Sequence, residues 1–335
     1  MNPDRLKKAP NISIVGSTSP LGKELRELIE GPDFPVGKLS LLETEEYAGL
    51  LQEFAGEIRI TQIISPASFE DTDIAFFACS PEIIQAYAAT GAAFPDLTID
   101  LTQTGREGSL FLGGVSDASQ LKTVGYYVNP HPAAIALGRV LARIQNAFQI
   151  ESASVTVLEP ASERGSAGID ELQEQTVGLL NFQPVEHKTF PGQLAFNLLT
   201  NGLTSGPVEN LVRNQLATLL GKRMASLGVA VVQAPVFHSH AFSVFLQVKE
   251  GVSVEQLRGA LQVGGSGVIV HSDEGLTPSP VTVVGSDAVQ VARIAADPLR
   301  SGAFFLWLIA DNLRISAGNA LQIAESLMFA PAQPR

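Results

Sequence analysis

Asn11-Ile12-Ser13-Ile14-Val15-Gly16-Ser17-Thr18-Ser19-Pro20-Leu21-Gly22 is the stretch whose reading decides the fold. A short apolar run with β-branched residues stops at a glycine and predicts a buried strand. A turn and a helical pattern through Leu25, Leu28 and Ile29 follow. Strand, glycine-bounded turn and helix form the context of a dinucleotide loop. In that reading Gly16 permits the tight turn and Gly22 lets the helix approach the sheet. The N–H groups and the Ser17 and Thr18 hydroxyls would face a phosphate. Ser19 holds the middle-glycine position, and its Cβ stands against close approach of a pyrophosphate. Pro20 suits a first helical turn but removes one donor. A nucleotide loop and a purely structural turn both remain open.

Further strands are expected at Lys38-Leu39-Ser40-Leu41-Leu42, Asp73–Ala78, Leu97–Leu101 and Thr123–Val128. Alternation with helices predicts a parallel sheet covered on both faces. Glu43, Thr44, Glu45 and Glu46 follow the second strand with no Arg or Lys among them. Such acids repel a 2′-phosphate and accept from a ribose 2′-OH, so NAD is favoured over NADP if a dinucleotide binds. The alternative is a solvated acidic turn. Cys79, in Cys79-Ser80-Pro81, reads as a small core residue rather than a nucleophile, with no basic neighbour in sequence to lower its pKa.

Beyond Pro132 the pattern changes to α+β. A helix carries Ile135, Leu137, Val140, Leu141 and Ile144 on one stripe. Strands are expected at Ala153–Leu158, Gly228–Val232, Phe242–Val248 and Val281–Val284, and a helix at Gly168–Leu180. The apolar run Ala303–Ala310 is read as a buried helix segment, far short of the ~20 residues that span a bilayer. A last helix is expected from Gly318 to about Met328, then a frayed tail from Ala330. The expected domains are 1–130 plus 316–335, and 131–315. An apolar sheet face in the second domain predicts a partner subunit.

Composition narrows the class. With 22 Lys and Arg against 34 Asp and Glu, the net charge is -12, and no basic run offers a nucleic-acid footprint. One cysteine excludes an internal disulfide and a cysteine-based zinc cluster. The polar start Met1–Lys8 lacks a signal-peptide core. A cytoplasmic protein without membrane or nucleic-acid partners is expected. His238 and His240, two apart on a supposed strand, are a weak metal pair without a nearby carboxylate in sequence, and no metal is expected.

With these elements placed, the chain resembles aspartate-semialdehyde dehydrogenase along nearly its whole length. The landmarks are Gly16 to Gly22, Ile99-Asp100-Leu101 with Arg106, Asn129-Pro130, Ser166–Leu172, Pro235-Val236 with His240, and Asp311–Arg314 with Asn319–Glu325. The resemblance implies a Rossmann-like parallel-sheet domain plus an α+β dimerisation domain of the semialdehyde dehydrogenase type. It also implies a homodimer that reduces aspartyl phosphate with NADPH through a thioacyl-cysteine. Cofactor contacts would fall on Gly16, Ser17, Thr18, Ser19, Pro20, Leu21, Gly22, Glu43, Ser80 and Asn319.

The implied reactive site is altered. The motif reads Asn129-Pro130-His131-Pro132-Ala133-Ala134-Ile135, so the cysteine position is Pro132, which has no nucleophile. Glu159 stands at the glutamine position and Gln233 at the substrate-arginine position. The paired glutamates fall near Arg213-Asn214, a reversal of charge. Gly113-Gly114-Val115-Ser116 replaces Pro-Glu-Val-Asn. His240 keeps the acid/base position and Arg106 the phosphate-side position. His240 is either a structural relic or a working group, and Glu159 either a base or a charge facing a wet cleft. The cysteine-free branch resembles the Usg-like proteins. Three functions remain open: a catalytically inactive dimer that senses a nucleotide, pairs with an active homologue or scaffolds a pathway partner; a purely structural subunit; and an oxidoreductase acting on another carbonyl.

Overall fold

The computed structural model describes residues 9–31, 34–104, 106–122, 124–200, 206–221, 226–249, 251–265, 267–272 and 277–328. The start Met1–Lys8, Thr123 and the tail from Ala330 lie outside the described residues. The chain divides into two units, Met1–Pro130 with Ser316–Arg335, and His131–Ile315.

In the first unit β1 (Ile12–Val15) pairs in parallel with β2 (Leu39–Glu43) and with β6 (Ile74–Phe77). With β5 (Gln62–Ile63), β7 (Leu97–Asp100), β8 (Ser109–Leu110) and β9 (Gly125–Val128), the described strands form a parallel sheet in the order β5-β2-β1-β6-β7-β9-β8. The strand period of two distributes the apolar side chains. Ile12, Ile14 and Phe76 pack with Leu25 and Ile29 of α1 (Pro20–Ile29) and with Ala320, Ile323 and Leu327 of the C-terminal helix. Val15 and Phe77 point the other way, onto Ile84 and Tyr87 of α2 (Pro81–Ala89). Burial on both faces explains why these strands are continuously apolar. A hairpin of β3 (Leu51–Phe54) and β4 (Glu57–Ile60) stands apart from the sheet.

The second unit opens with α3 (Pro132–Ala147), whose first three turns are buried. Its mixed sheet runs β11 (Leu199–Thr200), β12 (Leu227–Gln233), β10 (Ile150–Glu159), β13 (His240–Val248), β16 (Ala303–Ala310), β15 (Val289–Ala296), β14 (Val268–Val270). Besides α3, the described residues of this unit include three further helices: α4 (Gly165–Leu180), α5 (Pro207–Leu220) and α6 (Val254–Gln262). The last helix, α7 (Asn312–Met328), starts here and continues into the first unit.

Several expectations are corrected. Ala303–Ala310 is not a helix segment but a strand between β13 and β15. Phe304, Leu306 and Leu308 are buried while Phe305 is exposed, so the run alternates like a strand beneath its uniform apolarity. Val281–Val284 is not a strand: Ser279 and Thr282 close a turn there, with Pro280 inside it. The last helix begins at Asn312, because the Asp311 carboxylate accepts from the backbone N–H of Leu313 and Arg314 and caps it.

Candidate functional site

The loop after β1 is built as the glycines dictate. Gly16 has φ +81°, and a Cβ on it would lie 2.6 Å from the Ala78 carbonyl. A Cβ on Gly22 would lie 2.0 Å from the Gly16 carbonyl, so α1 approaches the strand only with glycine there. Ser19 is the N-cap of α1: its hydroxyl accepts from Gly22 N at 2.9 Å and donates to the Ala78 carbonyl at 2.7 Å. Pro20 is the first helical residue, and Leu21 packs against the core.

Glu43 closes this loop. One of its carboxylate oxygens accepts from Thr18 N at 2.6 Å and from the Ser17 hydroxyl at 3.1 Å. The Ser17 hydroxyl and the Thr18 N–H expected to face a phosphate are therefore turned to a buried carboxylate. Glu45 and Glu46 are exposed in the turn beyond β2. Ser80 is the N-cap residue of α2, and its hydroxyl holds the Glu82 carboxyl below the usual range.

The Asn319 amide donates to the Phe111 carbonyl at 3.0 Å and to Asn129 Oδ1 at 2.8 Å, and its oxygen accepts from Gly113 N at 2.9 Å. Both of its donors thus tie protein segments together. The Arg106 guanidinium lies over Phe94 at 4.3 Å and over Tyr126 at 5.0 Å, and the Tyr126 hydroxyl donates to Asp100 at 2.6 Å. Burial, then the charges of Asp100 and Glu43, push the Cys79 thiol far above the usual range.

A second constellation lies within the second unit. Glu159 ends β10, in register with Gln233 at the end of β12. The turn Ala161–Arg164 follows and carries Glu163. His131 caps α3 and His240 opens β13. The His131 Nε2 lies 3.5 Å from Glu163 Oε2, and the His240 Nε2 lies 3.9 Å from Glu163 Oε1. The two rings are 5.9 Å apart. Asn312 Nδ2 donates to Glu163 at 2.7 Å, while Asn312 Oδ1 accepts from Ser239 N at 3.0 Å. Gln233 Nε2 donates to the Glu159 carbonyl at 2.8 Å.

The electrostatics of this group are unusual. Burial, then the Glu163 charge, pushes the Glu159 carboxyl up to about 7. Burial pushes Glu163 up to about 7 as well, so the two behave as one proton-sharing pair near neutral pH. Burial lowers both histidines, His240 strongly, with the His131 charge adding to it there. Both His240 ring nitrogens, Glu159 Oε2, Gln233 Oε1 and Glu209 Oε2 are buried without a hydrogen-bond partner among the described residues. An orphaned buried polar atom costs ~1–3 kcal/mol, so a group of them marks a place built for water or a small ligand.

His131, Glu159 and Glu163 bring one potential metal-ligand atom each within 4.8 Å of one another. The donor set fits a metal poorly at His131. Its Nδ1 accepts from Ala133 N at 3.2 Å, so its proton sits on Nε2 and that atom has no lone pair to give. The His238–His240 pair loses its premise, since β13 begins only at His240 and Ser239 between them has φ +75°.

Residues 11–126 match the NAD-binding domain of semialdehyde dehydrogenase, and residues 141–315 match its dimerisation domain. The chain belongs to the semialdehyde dehydrogenase family. This family member is 29% identical to the aspartate-semialdehyde dehydrogenase of Rickettsia conorii over 337 residues, covering 96% of this chain and 99% of the relative. It is 30% identical to the USG-1 protein homolog of Pseudomonas aeruginosa over 331 residues, covering 95% and 97%. The crystal structure of aspartate semialdehyde dehydrogenase II from Vibrio cholerae superposes with a TM-score of 0.85 at 27% identity, covering 96% of this chain and 99% of that one. The Usg-like resemblance and the two-domain semialdehyde dehydrogenase fold both hold.

In this semialdehyde dehydrogenase-family chain, Glu159, Gln233 and His240 come together, and Pro132 follows directly on His131. Arg106 belongs to the first unit. His131, Glu163 and Asn312 were not singled out as site residues from sequence. Their signal was a histidine beside the motif proline, an acid four residues past Glu159, and an asparagine at a helix start. The charge reversal expected at Arg213-Asn214 falls on α5, which also carries a buried acid. Arg213 donates to Asn210 on a more open face of α5, and the buried acid of that helix is Glu209, which accepts from Val231 N at 3.3 Å.

Proposed function

We propose that this chain is a semialdehyde dehydrogenase-family dimer that does not perform thioester chemistry and retains a dinucleotide site with a sensing or scaffolding role, alone or beside an active homologue. One observation carries the reading: a buried proline opens α3 at the position proposed to correspond to the family's nucleophile. The single thiol of the chain, Cys79, lies in the other unit and is held protonated. A thioacyl intermediate therefore has no atom to form on.

A dinucleotide is supported by the helix start: α1 begins at the Gly16–Gly22 loop, where free N–H groups of a helix N-terminus favour a phosphate. Gly16, Ser19, Pro20, Leu21 and Gly22 would line its phosphates, and Glu43, which holds the Ser17 hydroxyl and the Thr18 N–H, would meet its adenosine ribose. The buried Glu43 charge favours NAD over NADP. The match to a dimerisation domain supports a homodimer, and the second unit exposes Val177, Leu180, Phe182 and Phe196, with Phe182 at 98%. Calorimetric titration with NADH and NADPH tests the reading. Micromolar NADH binding with much weaker NADPH binding is expected, and absence of both would overturn it.

The acid cluster favours a second reading. Glu159, Glu163 and His240 would serve a non-covalent reduction of a carbonyl ligand, for which a nicotinamide would supply the hydride. Turnover on a carbonyl panel that falls in Glu159→Gln and His240→Ala supports it; a panel without turnover removes it.

A further inference from the structure

The location of the shared proton can be read from the groups around it. Glu159 is faced by Glu163 of the following turn, by His131 of α3, by Arg164, and by Glu209 of α5. His240 of β13 lies beside Glu163. Donors gather on Glu163: Asn312 Nδ2 at 2.7 Å on Oε1, and His131 Nε2 at 3.5 Å from Oε2. The His131 tautomer is set by the Ala133 N–H on its Nδ1, so its hydrogen sits on Nε2, the atom 3.5 Å from Glu163 Oε2.

Glu159 has the opposite surroundings. It is 2% exposed, and its Oε2 has no hydrogen-bond partner. The closest cation, Arg164, stands 3.9 Å away with a side chain 41% exposed, so solvent screens much of its pull. Donors stabilise a carboxylate, and burial without donors stabilises the neutral acid.

We propose that Glu159 is held as a neutral carboxylic acid whose O–H is the donor this site offers to a carbonyl oxygen of its ligand, with Glu163 carrying the charge of the pair. The hydrogen-bond geometry decides which of the two acids holds the proton, while its use rests on the carbonyl reading above. In that use, a reduced nicotinamide would supply the hydride, and Glu159 would give its proton to the carbonyl oxygen as the C=O π pair becomes an O–H bond. Glu159 would be left as a carboxylate that takes up a proton from solvent. The same O–H disfavours a metal cation, which needs lone pairs from this cluster.

Infrared difference spectroscopy of the full chain near neutral pH tests the proposal without any ligand. The wild type should show a protonated carboxyl band that Glu159→Gln removes and Glu163→Gln retains. Glu159→Asp, which keeps a titratable carboxyl, should shift the band, and it replaces Glu159→Gln if that variant does not fold. A band that survives Glu159→Gln and vanishes in Glu163→Gln overturns the assignment, as does a wild type with no such band. The carbonyl panel reads the use of the proton separately from its position.

Discussion

Glu43 reaches across from the end of β2 and takes the Thr18 N–H at 2.6 Å through one carboxylate oxygen. The bond ties the loop after β1 to the neighbouring strand and places a buried negative charge beside it. Glu43→Gln should cost about 1–3 kcal/mol of stability, since a buried charge-assisted bond is weakened. It should also narrow the preference for NADH over NADPH. Urea denaturation and paired titrations check both effects; an unchanged preference contradicts the assigned role of the charge.

Gly22→Ala should be strongly destabilising. The new Cβ would meet the Gly16 carbonyl at 2.0 Å, and both partners are backbone. A loss of about 2 kcal/mol or more is expected from overpacking without relief. Thermal unfolding checks it, and a variant within ~0.5 kcal/mol of the wild type contradicts the close approach.

The acid pair makes stability depend on pH. A carboxyl with its folded pKa raised to about 7 from 4.5 binds more protons in the native state, so its contribution is present at low pH and is lost as pH rises through 7. His131 and His240, lowered by burial, act oppositely below 6.5. Above 6.5 the acids act alone, and stability should fall between pH 6.5 and 8. Glu159→Gln should be more stable than wild type at pH 8 by on the order of 1–3 kcal/mol, and the gain should shrink at lower pH. A gain independent of pH contradicts the shared proton.

Much of the first unit was legible because its strands are buried on both faces and bounded by Gly, Pro and Ser. The second unit was harder. Ala303–Ala310 carries no polar residue to reveal its alternation, so length and neighbours decide it. Val281–Val284 has strand composition, but Pro278 and Pro280 beside it favour a turn. Glu159, Gln233 and His240 were reachable through the resemblance. His131, Glu163 and Asn312 were not, because their meaning depends on a cap, a turn and a helix start that meet only in three dimensions.

Pro132→Cys should not restore dehydrogenase turnover on its own. The new thiol would open α3 beside the neutral His131, with Glu159 and Gln233 unchanged. Activity indistinguishable from the parent chain is expected in a coupled nucleotide assay. Turnover by the single variant would mean that the remaining cradle is intact.

Phosphate-dependent oxidation of aspartate semialdehyde by the purified chain, followed as NADH or NADPH formation, tests the central claim most directly. The account predicts no nucleotide reduction above the enzyme-free rate with either cofactor. Sustained, phosphate-dependent turnover would contradict it, because it would require a thioacyl intermediate in a chain that carries Pro132 at the proposed nucleophile position and whose one cysteine, Cys79, is held protonated.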